Sequence, residues 1–159
     1  MRNKFLILVG LMLSANAFAF DTFSKESGYL TGYMGCFNSK VIKASGSWGA
    51  LYKCIGGGEE TVKLFVNEKA GTGKVKNIKF IWNEYSQNVG YIPAHADKST
   101  AHMWIDKIAK RYAPEQADEI VKAFKANVSK VISANGYTFK YSFHKGPAAN
   151  ERMIIITKK

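Results

Sequence analysis

The side chains with chemistry in reach gather in one stretch: His95, Asp97, Lys98 and His102. Two imidazoles can act as general acid and general base, as in a secreted ribonuclease, with Lys98 holding a phosphate. His144 is a third, distant candidate. Read as metal ligands, His95, Asp97 and His102 match no strong spacing, and Asp97 has a competing use as a helix cap. No Gly-x-Ser-x-Gly elbow, HExxH or catalytic cysteine pattern occurs. Three histidines in 159 residues are unremarkable, so a small hydrolase using His95 and His102 is carried as an alternative only. No metal and no cofactor is expected.

Cys36 and Cys54 are the only cysteines. They lack the CxxC spacing of a redox pair, and no further ligands stand near them for zinc. In an exported chain a structural disulfide is the expectation. Gly56-Gly57-Gly58 could suggest a phosphate cradle, but no Lys-Ser/Thr follows and no helix opens after it, so it reads as a turn.

Export itself is read from residues 1–19. Arg2 and Lys4 precede a short apolar run, Phe5 to Leu13, and Ala17-Phe18-Ala19 fits a small-x-small cleavage site, with Ala15-Asn16-Ala17 as an alternative. The run is too short to span a bilayer, which takes about 20 residues, and no later stretch qualifies. Cleavage after Ala19 leaves residues 20–159 as one domain in the periplasm or outside the cell. The leader takes two of the 23 Lys/Arg and none of the 12 Asp/Glu, so the mature chain carries +9. That charge suits an anionic polymer such as nucleic acid or acidic glycan, or lipid headgroups. The lysines are spread along the chain and form no basic arm.

Two consecutive helices are expected over 97–135. Asp97 is the N-cap of the first, whose apolar stripe is Ala101, Trp104, Ile105, Ile108 and Tyr112; Lys107, Lys110 and Arg111 suit its C-terminal end. Pro114 opens the second, whose apolar face runs Ala117, Ile120, Val121, Phe124, Val128, Val131 and Ile132 to an Asn135-Gly136 stop. Strands flank this pair. Residues 48–55, 61–67 and 74–83 come before it, the last two joined through 70–73 as a hairpin. Residues 137–144 and 152–157 follow it. Apolar residues on both faces of 74–83 suggest a central strand covered on both sides. The row Tyr137, Phe139, Tyr141, Phe143 reads as core beneath a helix in preference to a stacking platform. The fold class is therefore α+β: an antiparallel sheet of about five strands, the central helical hairpin on one face, and an N-terminal helix.

That N-terminal helix carries Leu30, Tyr33, Met34, Phe37 and Val41 on one face. Gly28, Gly32 and Cys36 lie on another, where close packing of the next strand would make the glycines tolerable. The run Gly28-Tyr29-Leu30-Thr31-Gly32-Tyr33-Met34-Gly35 resembles the opening helix of small periplasmic immunity proteins, which neutralise toxins of rival bacteria. The likeness is confined to this short run and carries no specific motif, so no family is assigned. The resemblance implies function by contact.

Residues 84–96 form a long loop with Tyr85, Asn88, Tyr91 and His95, side chains suited to recognition. The alternative is that Tyr91 and Ile92 fold back into the core. Together these features point first to an exported, non-catalytic binding protein, an inhibitor or immunity type, that meets another protein through this loop. A cationic binder of polyanions is the second class, and the small hydrolase the third.

Overall fold

A computed structural model describes residues 20–159; the proposed leader, 1–19, lies outside the described residues. Helix α1 (Phe23–Met34) is followed by strands β1 (Asn38–Ile42), β2 (Leu51–Gly56), β3 (Val62–Lys69) and β4 (Lys74–Tyr85). Helix α2 (Lys98–Tyr112), a 3-10 turn at Pro114–Gln116 and helix α3 (Ala117–Lys125) come next. Strands β5 (Lys130–Ala134), β6 (Tyr137–Lys145) and β7 (Ala149–Lys158) close the chain. The architecture is α+β, with seven antiparallel strands in the order β1-β2-β3-β4-β7-β6-β5.

All three helices pack on one face of the sheet. Alternation selects that face: Val62, Leu64 and Val66 on β3, Ile78, Phe80 and Trp82 on β4, Tyr137, Phe139 and Tyr141 on β6, and Ile154 and Ile156 on β7 are buried. The α2 stripe Ala101, Trp104, Ile105, Ile108 and Tyr112 meets them with Leu30, Met34, Ile120 and Phe124. The aromatic row of β6 is thus core. The opposite face of the sheet carries no helix. The outward residues of β4, among them Lys79 and Ile81, are half-buried, so the central strand is covered on one side and not on two.

The two extra strands sit at the sheet edges, where helices were expected to continue. Helix α3 stops at Lys125, and Val128 and Val131 are exposed at 70% and 62%. The Arg152 guanidinium reaches up from the sheet and ends the helix: Nη1 donates to the carbonyls of Phe124 (3.1 Å) and Ala126 (2.9 Å). The chain then turns back as β5, burying Ile132 and Ala134. Asn135-Gly136 is not a helix stop. It is the two-residue turn of the β5–β6 hairpin, with φ of 47° and 76°, the geometry that Asn-Gly favours.

At the other edge, α1 ends at Gly35, which takes the left-handed conformation (φ 69°) and donates its N–H to Thr31 O. Phe37 and Val41 therefore leave the helix and are exposed at 71% and 52%, on or beside β1. Gly28 and Gly32 meet nothing: a Cβ at either would have open space, so close packing does not explain them. The Cys36–Cys54 disulfide does tie the end of α1 to β2, with Cα atoms 5.5 Å apart. No helix among the described residues is long and apolar enough to cross a membrane.

Asp97 is not a side-chain cap. It sits at φ 54°, makes no cap hydrogen bond, and accepts instead from Thr61 Oγ1 (3.0 Å) and Thr61 N (3.4 Å). Its carboxylate lies where a Cβ of Gly57 would be, while a Cβ at Gly56 would strike the Trp104 ring at 2.7 Å. Gly56 and Gly57 are thus required by the close approach of α2 to the end of β2, whereas a Cβ at Gly58 would have open space.

Candidate functional site

The loop between β4 and α2 is shaped by its own hydrogen bonds. At its base, Ser86 N donates to Ala148 O (3.1 Å) and His95 N to Tyr85 O (2.9 Å). At its tip, Val89 and Ile92 exchange N–H···O bonds of 2.8 and 3.0 Å around Gly90, which has φ 59°. Asn88 Oδ1 accepts from Ala94 N (2.8 Å) and closes the descending limb. Ala96 O accepts from Trp82 Nε1 (3.1 Å) and Thr61 Oγ1 (3.2 Å), fixing the loop to the core.

His95 completes this base. Its Nδ1 lies 3.2 Å from Glu84 Oε1, donating its proton to the carboxylate, while Glu84 Oε2 accepts from Arg152 Nε at 2.8 Å. Arg152 and Glu84 are nearly buried, whereas half of the His95 side chain is exposed. A chain of charge-assisted bonds therefore runs from the end of α3 through the sheet to the loop. His95 holds φ 55°, a conformation that costs energy outside glycine, and its backbone and ring bonds offset that cost.

These contacts sort the four loop residues. Asn88 and His95 spend polar atoms on the loop's own geometry. Tyr85 is half-buried at the end of β4. Tyr91, at the tip, is 84% exposed and does not plug the core; Ile92 beside it is half-buried. The result is an ordered projection with an aromatic side chain at its apex.

The three histidines lie on different elements. His102, on α2, packs edge-on against Trp82, with ring centroids 5.6 Å apart. Burial, then the nearby Lys125 and Lys98, hold its pKa below the usual histidine value. His144 is paired in register with Glu151, on β6 and β7. Among the described residues no group of three or more His, Cys, Asp or Glu is placed to hold a metal ion.

Besides Tyr91 and Phe37, another strongly exposed aromatic lies outside the loop, and the sequence reading does not single it out. Trp48, expected to begin a strand, instead stands 79% exposed on a tight turn before β2. Its signal was present in the Ser-Gly-Ser-Trp-Gly run, whose glycines mark a turn.

Neither a protein-family model, nor a curated protein, nor a solved structure matches this chain.

Proposed function

We propose that this is an exported binding protein of the cell envelope or exterior, an inhibitor or immunity type, which acts through contact with another protein and not through catalysis. The observation that carries the reading is the 84–96 loop, ordered by its own backbone pairing and by the Glu84–His95 contact, with Tyr91 at its apex. A preformed loop loses little conformational entropy on binding, and tyrosine gives large contact area with few rotatable bonds. The Cys36–Cys54 bridge fits an oxidising compartment.

The test is capture from an envelope extract on immobilised protein, wild type against Tyr91→Ala, at low and at high salt. The expected result is one saturable protein partner that survives high salt on the wild type and is lost from the variant. Capture that Tyr91→Ala leaves intact, or that salt alone abolishes, removes the reading.

A further inference from the structure

The helix-free face of the sheet carries a concavity of about 650 Å³ at one end, within the range of small-ligand sites. Trp48 stands in its wall. Lys69, Lys76 and Lys79 line it, together with the side-chain amides of Asn67 and Asn77.

The Trp48 turn is held firmly. Ser45 and Trp48 exchange backbone hydrogen bonds of 3.1 and 3.0 Å around Gly46, at φ 57°. Gly49 then passes so close to the Glu68 carbonyl that a Cβ would overlap it, and that Cβ would also come 3.0 Å from Ala70 N. Ala50 N donates to Glu68 Oε2 (2.7 Å), and Glu68 N to Ala50 O (2.9 Å). A large aromatic side chain left in water on a braced backbone gains nothing for folding. It is a ready platform for a flat partner.

Charge indicates what that partner carries. None of the three lysines is in an ion pair among the described residues. The one acid in the wall, Glu68, is committed: Oε2 takes Ala50 N and Oε1 takes Gly73 N, both at 2.7 Å. The Asn67 and Asn77 amides bond to each other at 2.7 Å, which leaves further donors and acceptors for an edge of a base. Past Lys79 the cationic and aromatic character continues, because Phe65 is paired directly with Lys79 on one side and Lys53 on the other.

We infer that this cleft binds single-stranded nucleic acid, one base stacking on Trp48 and the phosphates lying on Lys69, Lys76 and Lys79. Stacking platforms flanked by lysines are the working parts of such sites. A flat bilayer fits less well. Neighbouring strands rotate by roughly 20° each, so a planar surface meets only part of this face, whereas a flexible strand can follow it. The site is separate from the Tyr91 loop and does not depend on it.

Binding of fluorescently labelled (dT)15 to protein purified after export is the direct test. Trp82 and Trp104 are buried and Trp48 is exposed, so quenching of tryptophan emission by unlabelled (dT)15 reports on Trp48. The expected results are quenching on binding and a log–log salt slope of about −2, since each phosphate neutralised contributes about −0.7. Trp48→Ala should weaken affinity by about fivefold or more, Trp48→Phe should restore most of it, and Lys76→Glu with Lys79→Glu should abolish it. Tyr91→Ala should leave it unchanged. Equal or tighter binding of heparin or of anionic phospholipid vesicles overturns the inference, as does (dT)15 binding that is absent or indifferent to Trp48→Ala.

Discussion

Glu84 and Arg152 meet at 2.8 Å across the two central strands, β4 and β7, with both side chains close to fully buried. Arg152 donates also to Phe124 O, Ala126 O, the Tyr141 hydroxyl and Asn127 Oδ1. Glu84 is its only charged partner among these, so Glu84→Ala leaves a guanidinium uncompensated in the core. The expected loss is about 3–5 kcal/mol of unfolding free energy, read from urea denaturation. The same change frees the His95 ring, so amide exchange in 86–95 should quicken more than in β3. A variant with wild-type stability would show that Arg152 finds enough acceptors without the carboxylate.

Gly57→Ala tests the seat of α2. The residue has φ 79°, and its missing Cβ makes room for the Asp97 carboxylate. The backbone term alone costs about 1–2 kcal/mol, and displacing Asp97 breaks its bonds to Thr61. Gly58→Ala next to it has open space and should be tolerated. Thermal melts of the pair separate a general intolerance of the turn from the specific approach of Asp97.

The strands facing the helices were legible by type, and β3 and β6 bury the residues their alternation picks out; 74–83 and 152–157 carry apolar residues on both faces, so their sequences do not show that β4 and β7 bury only one of them. Errors fell where two periods coincide. Val128, Val131 and Ile132 fit a helical stripe over so short a run that a period of two fits as well, and the deciding contact, Arg152 on the Phe124 and Ala126 carbonyls, comes from a residue 28 positions from Phe124. Asn135-Gly136 was the local clue that should have favoured a hairpin. In the candidate site, the loop residues were legible by type, but not their division of labour. Whether an amide faces a partner or closes its own loop, as Asn88 does, depends on backbone positions that composition does not encode. Asp97 shows the same limit, since its carboxylate accepts from Thr61, far away in sequence, and not from the first turn of α2.

Three groups with shifted pKa values make stability depend on pH: His102, Tyr137 and Tyr112. His102 has a folded pKa below its ordinary value, through burial first and then Lys125 and Lys98. Above the unfolded pKa of about 6.5 it is neutral in both states and costs nothing. As pH falls through that value, the unfolded chain takes up a proton that the fold resists, so stability declines until the folded pKa is passed. His102→Gln should therefore show a smaller drop in melting temperature between pH 7.5 and 5.5 than the wild type. At the alkaline end Tyr137 is pushed up to about 12 by burial and then by Glu26, and Tyr112 is raised by the same two causes. Both phenols stay protonated in the fold after the unfolded chain begins to ionise near pH 10. Stability is intact below that value and falls as pH rises beyond it.

The disulfide offers a prediction with a spatial readout. Cys54 is fully buried and the bridge spans 18 residues, so the Cys36→Ala, Cys54→Ala pair should lose about 3 kcal/mol in the chain-entropy account. The loss should not spread evenly. Tyr52 OH bonds Thr31 Oγ1 at 2.7 Å and contacts Cys36 Sγ at 3.3 Å, holding the end of α1 to β2 beside the bridge. The start of α1 is held otherwise: Glu26 accepts from Arg111 Nη2 at 2.8 Å and from the Tyr112 hydroxyl. Without the bridge, amide exchange should therefore accelerate over 31–42, while residues 23–27 keep their protection. Uniform acceleration along all of α1 would show that the helix docks as one unit, with the disulfide as its principal anchor.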